Sequence, residues 1–179
     1  MTENLWTTMC ALVESDDGLP VRKAHAGSAD KLYWWSQYLA ITTSAMVGRD
    51  RWPTRITYVD LFAGPGVLSV ETARYPGSGM IAANTRKPFD RMIFCELKAD
   101  LASALQERLD GCGAASRATV LHGDCNALIG DVIAAIPQES LTLAFVDPPG
   151  LEASFETLER LSDGRNVDLL ILVPTEMNA

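Results

Sequence analysis

The stretch YVDLFAGPGV, residues 58–67, decides the fold. A strand-like run ends on Asp60 and breaks at once into a turn carrying Gly64, Pro65 and Gly66. Two missing side chains let backbone N–H groups come close to a ligand and make positive φ accessible. A glycine-rich turn also serves as a tight strand-to-helix connection with no ligand at all. Its meaning therefore depends on what surrounds it.

Outward from that turn, apolar runs recur at regular intervals. ITYVDLF (56–62), RMIFCEL (91–97), ATVLHGD (118–124), LTLAFVDPP (141–149) and VDLLILVP (167–174) read as five strands. Several are nearly continuous in apolar residues, the mark of strands covered on both faces. Helical spacing lies between them. KADLASALQERLDG places Leu101, Leu105 and Leu109 on one stripe with Gly111 as its stop. NALIGDVIAAIP carries Leu128, Val132 and Ile136, and LEASFETLERLSDG carries Leu151, Phe155 and Leu158. Ser78 is placed to cap a short helix through GMIAANTR. Ahead of the first strand, one long amphipathic helix is expected over SADKLYWWSQYLAITTSAMVG. Ser28 would be its cap, Leu32, Trp35, Leu39 and Met46 its buried stripe, and Gly48 its stop. The aromatic cluster in that helix reads as core packing. Alternation of strand and helix predicts an α/β, Rossmann-like open parallel sheet with helices on both faces.

The chain has 179 residues, enough for one domain with a sizeable core. An arm over 1–24 followed by a domain over 25–179 is the expected organisation, because the first twenty or so residues show no clean period and end in the turn-rich ESDDGLP. Apolar residues at 47% and charged residues at 21% argue against disorder. No apolar run approaches the roughly eighteen residues needed to cross a bilayer. The N-terminus lacks the basic start and apolar stretch of a secretory signal, so no membrane partner and a cytoplasmic address are expected. Cys10, Cys95, Cys112 and Cys125 show no C-x-x-C spacing and have two histidines to help them, so no metal site is expected and the thiols read as reduced. Cys95, inside an apolar strand, behaves as a small hydrophobe. A net charge of −8 speaks against general nucleic-acid binding. Arg22, Lys23, Lys31, Arg49, Arg51 and Arg55, set against Asp30 and Asp50, make one basic edge that keeps an anionic or nucleic-acid partner open.

Open parallel sheets bind ligands beyond the carboxyl ends of their strands, where the strand order reverses. Four of the predicted strands end there on an acid: Asp60, Glu96, Asp124 and Asp147, the last followed by two prolines. A carboxylate accepts hydrogen bonds and donates none, so it suits a ribose diol or an exocyclic amine. Each acid also has a plain structural use: Asp124 as a helix cap, Glu96 as a partner of Lys98. Together they point to a nucleoside-like ligand. The dinucleotide fingerprint does not fit well, because its third glycine is Ser69 and Pro76, Gly77 and Gly79 delay the helix. No G-x-x-x-x-G-K-[ST] occurs either.

These residues resemble the class I S-adenosylmethionine-dependent methyltransferase fold, and within it the three-Cys-motif partner protein family (TcmP), whose members are held to accompany radical-SAM-like proteins. The resemblance runs from about residue 25 to the end. DKLYWWSQYL is similar to the family's leading helix at Lys31, Tyr38 and Leu39, and YVDLFAGPG to its most recognisable block. GSGMIAA resembles its glycine-serine helix start, although proline is usual where Gly79 stands. PFDRMIFCEL and DPPG resemble its second- and fourth-strand blocks, the third residue of the latter being more often phenylalanine.

The resemblance implies S-adenosylmethionine as cofactor. Gly64 and Gly66 would line its methionine portion, with Phe62 in the same turn and Asp60 near the amino group. Glu96 would hold the ribose hydroxyls, Asp124 with Cys125 would meet the adenine amine, and Asp147 would face the transferred methyl as the catalytic residue. DPPG departs from the DPP-aromatic pattern of DNA amino-methyltransferases, which argues against adenine as acceptor. A full fold of this class has seven strands, and five are read here. A fragment, a shortened copy, or a partner subunit that binds without catalysis is therefore expected, with the fifth strand as an exposed edge. A nicotinamide-dependent oxidoreductase is the remaining alternative, on the generic sheet alone.

Overall fold

The computed structural model describes residues 5–46 and 55–173. The expected helix stop at Gly48, the basic residues Arg49 and Arg51, and the end of the fifth predicted strand from Pro174 lie outside them. In chain order the elements are α1 (Leu5–Val13), β1 (Arg22–Lys23), α2 (Ala26–Met46), β2 (Arg55–Asp60), β3 (Val67–Val70), β4 (Ala73–Pro76), α3 (Ser78–Ala83) and β5 (Arg91–Glu96). They continue with α4 (Ala99–Gly111), a 3₁₀ turn (Ala115–Arg117), β6 (Ala118–His122), α5 (Cys125–Ala135), β7 (Ser140–Val146), α6 (Phe155–Ser162) and β8 (Val167–Ile171).

The five predicted strands form one parallel sheet in the order β6-β5-β2-β7-β8. Burial follows from that order. The central strands β2, β5 and β7 are buried along nearly their whole length, while the edges β6 and β8 are partly open. Successive side chains of a strand point to opposite faces, and two cores result. Tyr58, Met92, Phe94 and Phe145 pack with α1, α2, α3 and α4 on one face. Val59, Ile93, Cys95 and Val146 pack with α5 and α6 on the other. Trp35 of α2 stacks on Phe145 with ring centroids 4.1 Å apart, which fixes the long helix over the sheet. Leu32, Trp35 and Leu39 are buried as their spacing predicts.

Several local expectations are corrected. Residues 5–13 form a helix, with Met9 and Val13 buried, where an arm was expected. The delay between glycine turn and helix is an inserted hairpin, β3–β4, and β1 pairs in parallel with β3. Helix α2 begins at Ala26, so Ser28 sits inside its first turn. Gly77, not Ser78, holds the cap position of α3, with no side-chain cap bond, because the helix already includes Ser78 as its first residue. Helix α4 includes Gly111 and is followed by Cys112 and by Gly113 at φ +75°. Ser154 caps α6 by accepting from the Thr157 N–H, so Leu151 falls in the loop. Thr157 and Leu161 are buried there, while Phe155 is 79% exposed.

One buried cation joins the chain's beginning to its glycine turn. Arg108 of α4 donates to both carboxylate oxygens of Asp17, at 2.7 and 2.9 Å. It also donates to the carbonyls of Pro20 at 2.9 Å and Pro65 at 2.6 Å. Arg74 adds a second contact to Asp17 at 2.7 Å. Hydrogen bonding from Arg108 holds the Asp17 carboxyl well below the usual carboxylate range, against the opposing effect of burial. Arg108→Met would leave those carbonyls without this donor and Asp17 with Arg74 and the Leu19 N–H alone. A loss of about 2–4 kcal/mol is expected, read as a lower urea midpoint at unchanged slope. A change below about 0.5 kcal/mol would show that the clasp contributes nothing measurable.

Candidate functional site

The strand order reverses around β2, whose neighbours β5 and β7 lead the chain in opposite directions. Carboxyl ends beside such a reversal leave a crevice. Here the crevice holds two cavities that share Arg22, Phe62 and Pro149 in their walls.

The glycine turn separates them. Gly64 and Gly66 have φ of +62° and +86°, a region that side chains rarely adopt. Their missing side chains serve different ends. A Cβ on Gly66 would stand 3.0 Å from Leu105 Cδ1, so that glycine admits the core. A Cβ on Gly64 would meet nothing within 4 Å. The turn is pinned from outside: Gly64 N–H donates to Glu96 Oε2 at 2.9 Å, and Arg108 holds the Pro65 carbonyl.

Glu96 ends β5, and its other oxygen accepts from the backbone N–H of Lys98 at 2.9 Å. Its partner at Lys98 is thus the backbone, not the ammonium. Asp124 caps α5, accepting at Oδ1 from the Asn126 N–H at 2.9 Å. Glu96, Asp124 and Cys125 line one cavity of about 660 Å³ together with Phe62 and Leu97. Asn126 closes its floor, bridging Asp124, the Glu152 carbonyl and Thr157. The Cys125 thiol is pushed up to about 11 by burial and then by the neighbouring Asp124 charge, which leaves it protonated and unreactive at neutral pH.

The second cavity, about 390 Å³, lies between the glycine turn and the segment from β1 into α2. Gly64, Gly66, Ser78 and Asp147 wall it on the sheet side, and Arg22, Lys23, His25 and Lys31 on the other. Lys31 Nζ ion-pairs with Asp147 Oδ2, tying α2 to the end of β7.

Asp60 departs from expectation. It is fully buried and lines neither cavity. Its oxygens accept from the Phe62 N–H and the Tyr58 hydroxyl, both at 3.1 Å, and it bonds to Ser78. It therefore reaches the cavity only through Ser78. The structure thus gathers Glu96, Asp124 and Cys125 in one cavity and Gly64, Gly66 and Asp147 in the other, with Phe62 at the junction and Asp60 beneath. Sequence reasoning missed Arg108, Asp17, Ser78 and Asn126 as structural partners. Arg108 had a signal, since it lies three residues after Leu105 on the apolar stripe of α4.

Among the described residues no cluster of three or more His, Cys, Asp and Glu is placed to hold a metal, and no helix is long and apolar enough to cross a membrane. All four cysteines are free.

Comparison with solved structures places the chain in the α/β, Rossmann-like fold. The protein yhhF of Escherichia coli, assigned as a methyltransferase, aligns at a TM-score of 0.55 with 18% identity, over 88% of this chain and 80% of that one. A protein from Legionella pneumophila aligns at 0.51 with 18% identity, over 74% and 59%. An O-methyltransferase from Bacillus cereus in complex with SAH gives 0.46 with 10% identity, over 80% and 51%. The chain thus spans little more than half the length of the last two. At these identities the likeness is one of fold. No protein-family model matches the chain, and no curated protein does.

Asp60 yields a pH prediction. Burial is the main cause that raises its carboxyl from 3.8 to about 6, against hydrogen bonds from Ser78, Phe62 and Tyr58. The folded state therefore prefers the protonated form. That stabilisation is complete below the unfolded value and is lost as pH rises through the folded one. Asp60→Asn, which imitates the protonated form, is expected to be more stable than wild type near neutral pH by up to about 3 kcal/mol. The advantage should vanish below about pH 4. Thermal midpoints across that range test it; an Asn variant less stable at neutral pH would contradict the assignment.

Proposed function

We propose that this chain binds S-adenosylmethionine and transfers its methyl group to an acceptor. The observation that supports this reading most strongly is the shared cavity of Glu96 and Asp124. Two acids at the ends of adjacent strands, neither paired with a Lys or Arg side chain among the described residues, adjoin a turn whose Gly64 faces open space. Carboxylates of this kind suit a ribose diol and an exocyclic amine and oppose a phosphate. A dinucleotide fits poorly for a second reason. Its pyrophosphate needs the helix N-terminus directly after the glycine turn, and here the β3–β4 hairpin intervenes.

In this reading Glu96 holds the ribose hydroxyls while also fixing the Gly64 N–H, and Asp124 offers its uncapped oxygen to the adenine amine beside Cys125. Phe62 and Leu97 give the base apolar walls. Gly64, Gly66 and Ser78 line the methionine portion, and Asp60 acts beneath them by orienting Ser78. Bound, the cofactor supplies a methyl group on a sulfonium: the acceptor's lone pair takes that carbon and the C–S bonding pair returns to sulfur. Catalysis of such a displacement is mostly alignment of the two reactants. Asp147, held at Oδ2 by Lys31, stands at the end of β7 to receive the proton that the acceptor releases. The readings as a non-catalytic partner of a radical-SAM-like protein and as a nicotinamide oxidoreductase gain no support from an observation of this site.

Calorimetric titration with S-adenosylmethionine tests the reading. Wild type is expected to bind, and both Glu96→Ala and Glu96→Gln to bind at least about tenfold more weakly, a loss of about 1.4 kcal/mol. Absence of binding by wild type, or equal affinity in both variants, would overturn it.

A further inference from the structure

The two cavities carry opposite charge. Glu96, Asp124 and Glu152 line one, against Lys98 and the shared Arg22. Arg22, Lys23, His25 and Lys31 line the other, against Asp147 alone. Lys31 is spent on Asp147, while Arg22, Lys23 and His25 are exposed and make no side-chain hydrogen bond or ion pair among the described residues. This local excess of positive charge stands on a chain whose net charge is −8. A basic edge was visible in the sequence; the fold brings part of it to the mouth of the crevice, because β1 pairs with β3 and so lies against the glycine turn.

That arrangement selects a second ligand. The methionine portion of the proposed cofactor brings a sulfonium, an ammonium and one carboxylate, so it adds positive charge to a cavity that already has a surplus. A neutral acceptor would leave the surplus uncompensated, whereas an anionic one completes it. We propose that the cavity between β1, the start of α2 and the glycine turn takes a small methyl acceptor bearing a carboxylate or phosphate group, held by Arg22 and Lys23 with His25 beside them. The inference rests on the cofactor reading above and names the substrate class of the same site. A small anion fits better than a nucleic acid, since the basic residues are gathered on one wall of a cavity of about 390 Å³ on an otherwise acidic protein.

The test titrates inorganic pyrophosphate and, separately, citrate into the full chain saturated with S-adenosylhomocysteine, at low ionic strength, by calorimetry. Saturable binding of at least one is expected, weakened about tenfold or more by Lys23→Glu. Lys23 lines only the basic cavity and is exposed, so circular dichroism should show the variant folded. Affinity for S-adenosylmethionine itself should stay the same or tighten in Lys23→Glu. Weaker cofactor binding with unchanged anion binding would assign these cations to the cofactor's own carboxylate and overturn the proposal. Binding of neither anion, or equal binding by the variant, would also overturn it. So would tighter binding of a random single-stranded oligonucleotide than of either small anion. A chain that binds S-adenosylmethionine but neither anion sinks the acceptor class alone. One that binds pyrophosphate but not S-adenosylmethionine sinks the cofactor reading, and the role as acceptor site falls with it.

Discussion

The glycine turn after β2 is held by two charged side chains, one accepting from its backbone and one donating to it, and the crevice takes its shape from that grip. Glu96 receives the Gly64 N–H, and Arg108 donates to the Pro65 carbonyl. Both belong to the β5–α4 unit, so the turn is fixed against the strand and helix that follow it. Arg108 extends the grip to Asp17 and Pro20, which brings the chain's beginning over the turn. A turn with two residues at positive φ has few other ways to be rigid, since neither glycine has a side chain to pack. Anchoring the backbone itself is the remaining solution.

From this anchoring the two-sided crevice follows. Asp17 and Arg108 fix where β1 begins, β1 adds to the hairpin, and the segment into α2 becomes a wall facing the turn. The Lys31–Asp147 pair closes the same wall against the end of β7. One anchored turn thus divides an acidic cavity at the ends of β5 and β6 from a basic one under the strap. The proposed methyl transfer between a nucleoside carrier and a separate acceptor would use both sides of that division. The carrier's sugar and base want acceptors of hydrogen bonds, and the other reactant must reach the methyl from the far side.

Much of the fold was legible because strand burial leaves a simple trace: ITYVDLF and LTLAFVDPP are apolar along their length only because both faces of the sheet are covered. The strand-end acids were legible for the same reason, as a sudden charge after such a run. What stayed hidden depended on contacts distant in sequence. The hairpin at 67–76 has no turn signature strong enough to separate it from a loop. Residues 5–13 turn Leu5, Trp6, Met9 and Val13 inward, but the equally apolar Leu12 faces outward and blurs that stripe in the sequence. Asp60 looked like the other strand-end acids, and nothing local distinguishes a carboxylate pointing beneath the turn from one pointing into the crevice. Its neighbours Tyr58 and Ser78 decide that, and Ser78 lies eighteen residues on. The expected likeness to three-Cys-motif partner proteins rests on short motifs alone and no comparison shows it, while the structural likeness in fold extends across most of the chain.

Backbone amide shifts recorded by NMR during titration with S-adenosylhomocysteine test most directly whether one nucleoside occupies the crevice. The account predicts that the perturbed amides cluster at Gly64, Gly66, Leu97, Lys98, Cys125 and Asn126, on three separate elements. Perturbations confined elsewhere, such as the hollow of about 630 Å³ beside Ile41 and Asp168, or none at saturating ligand, would contradict it.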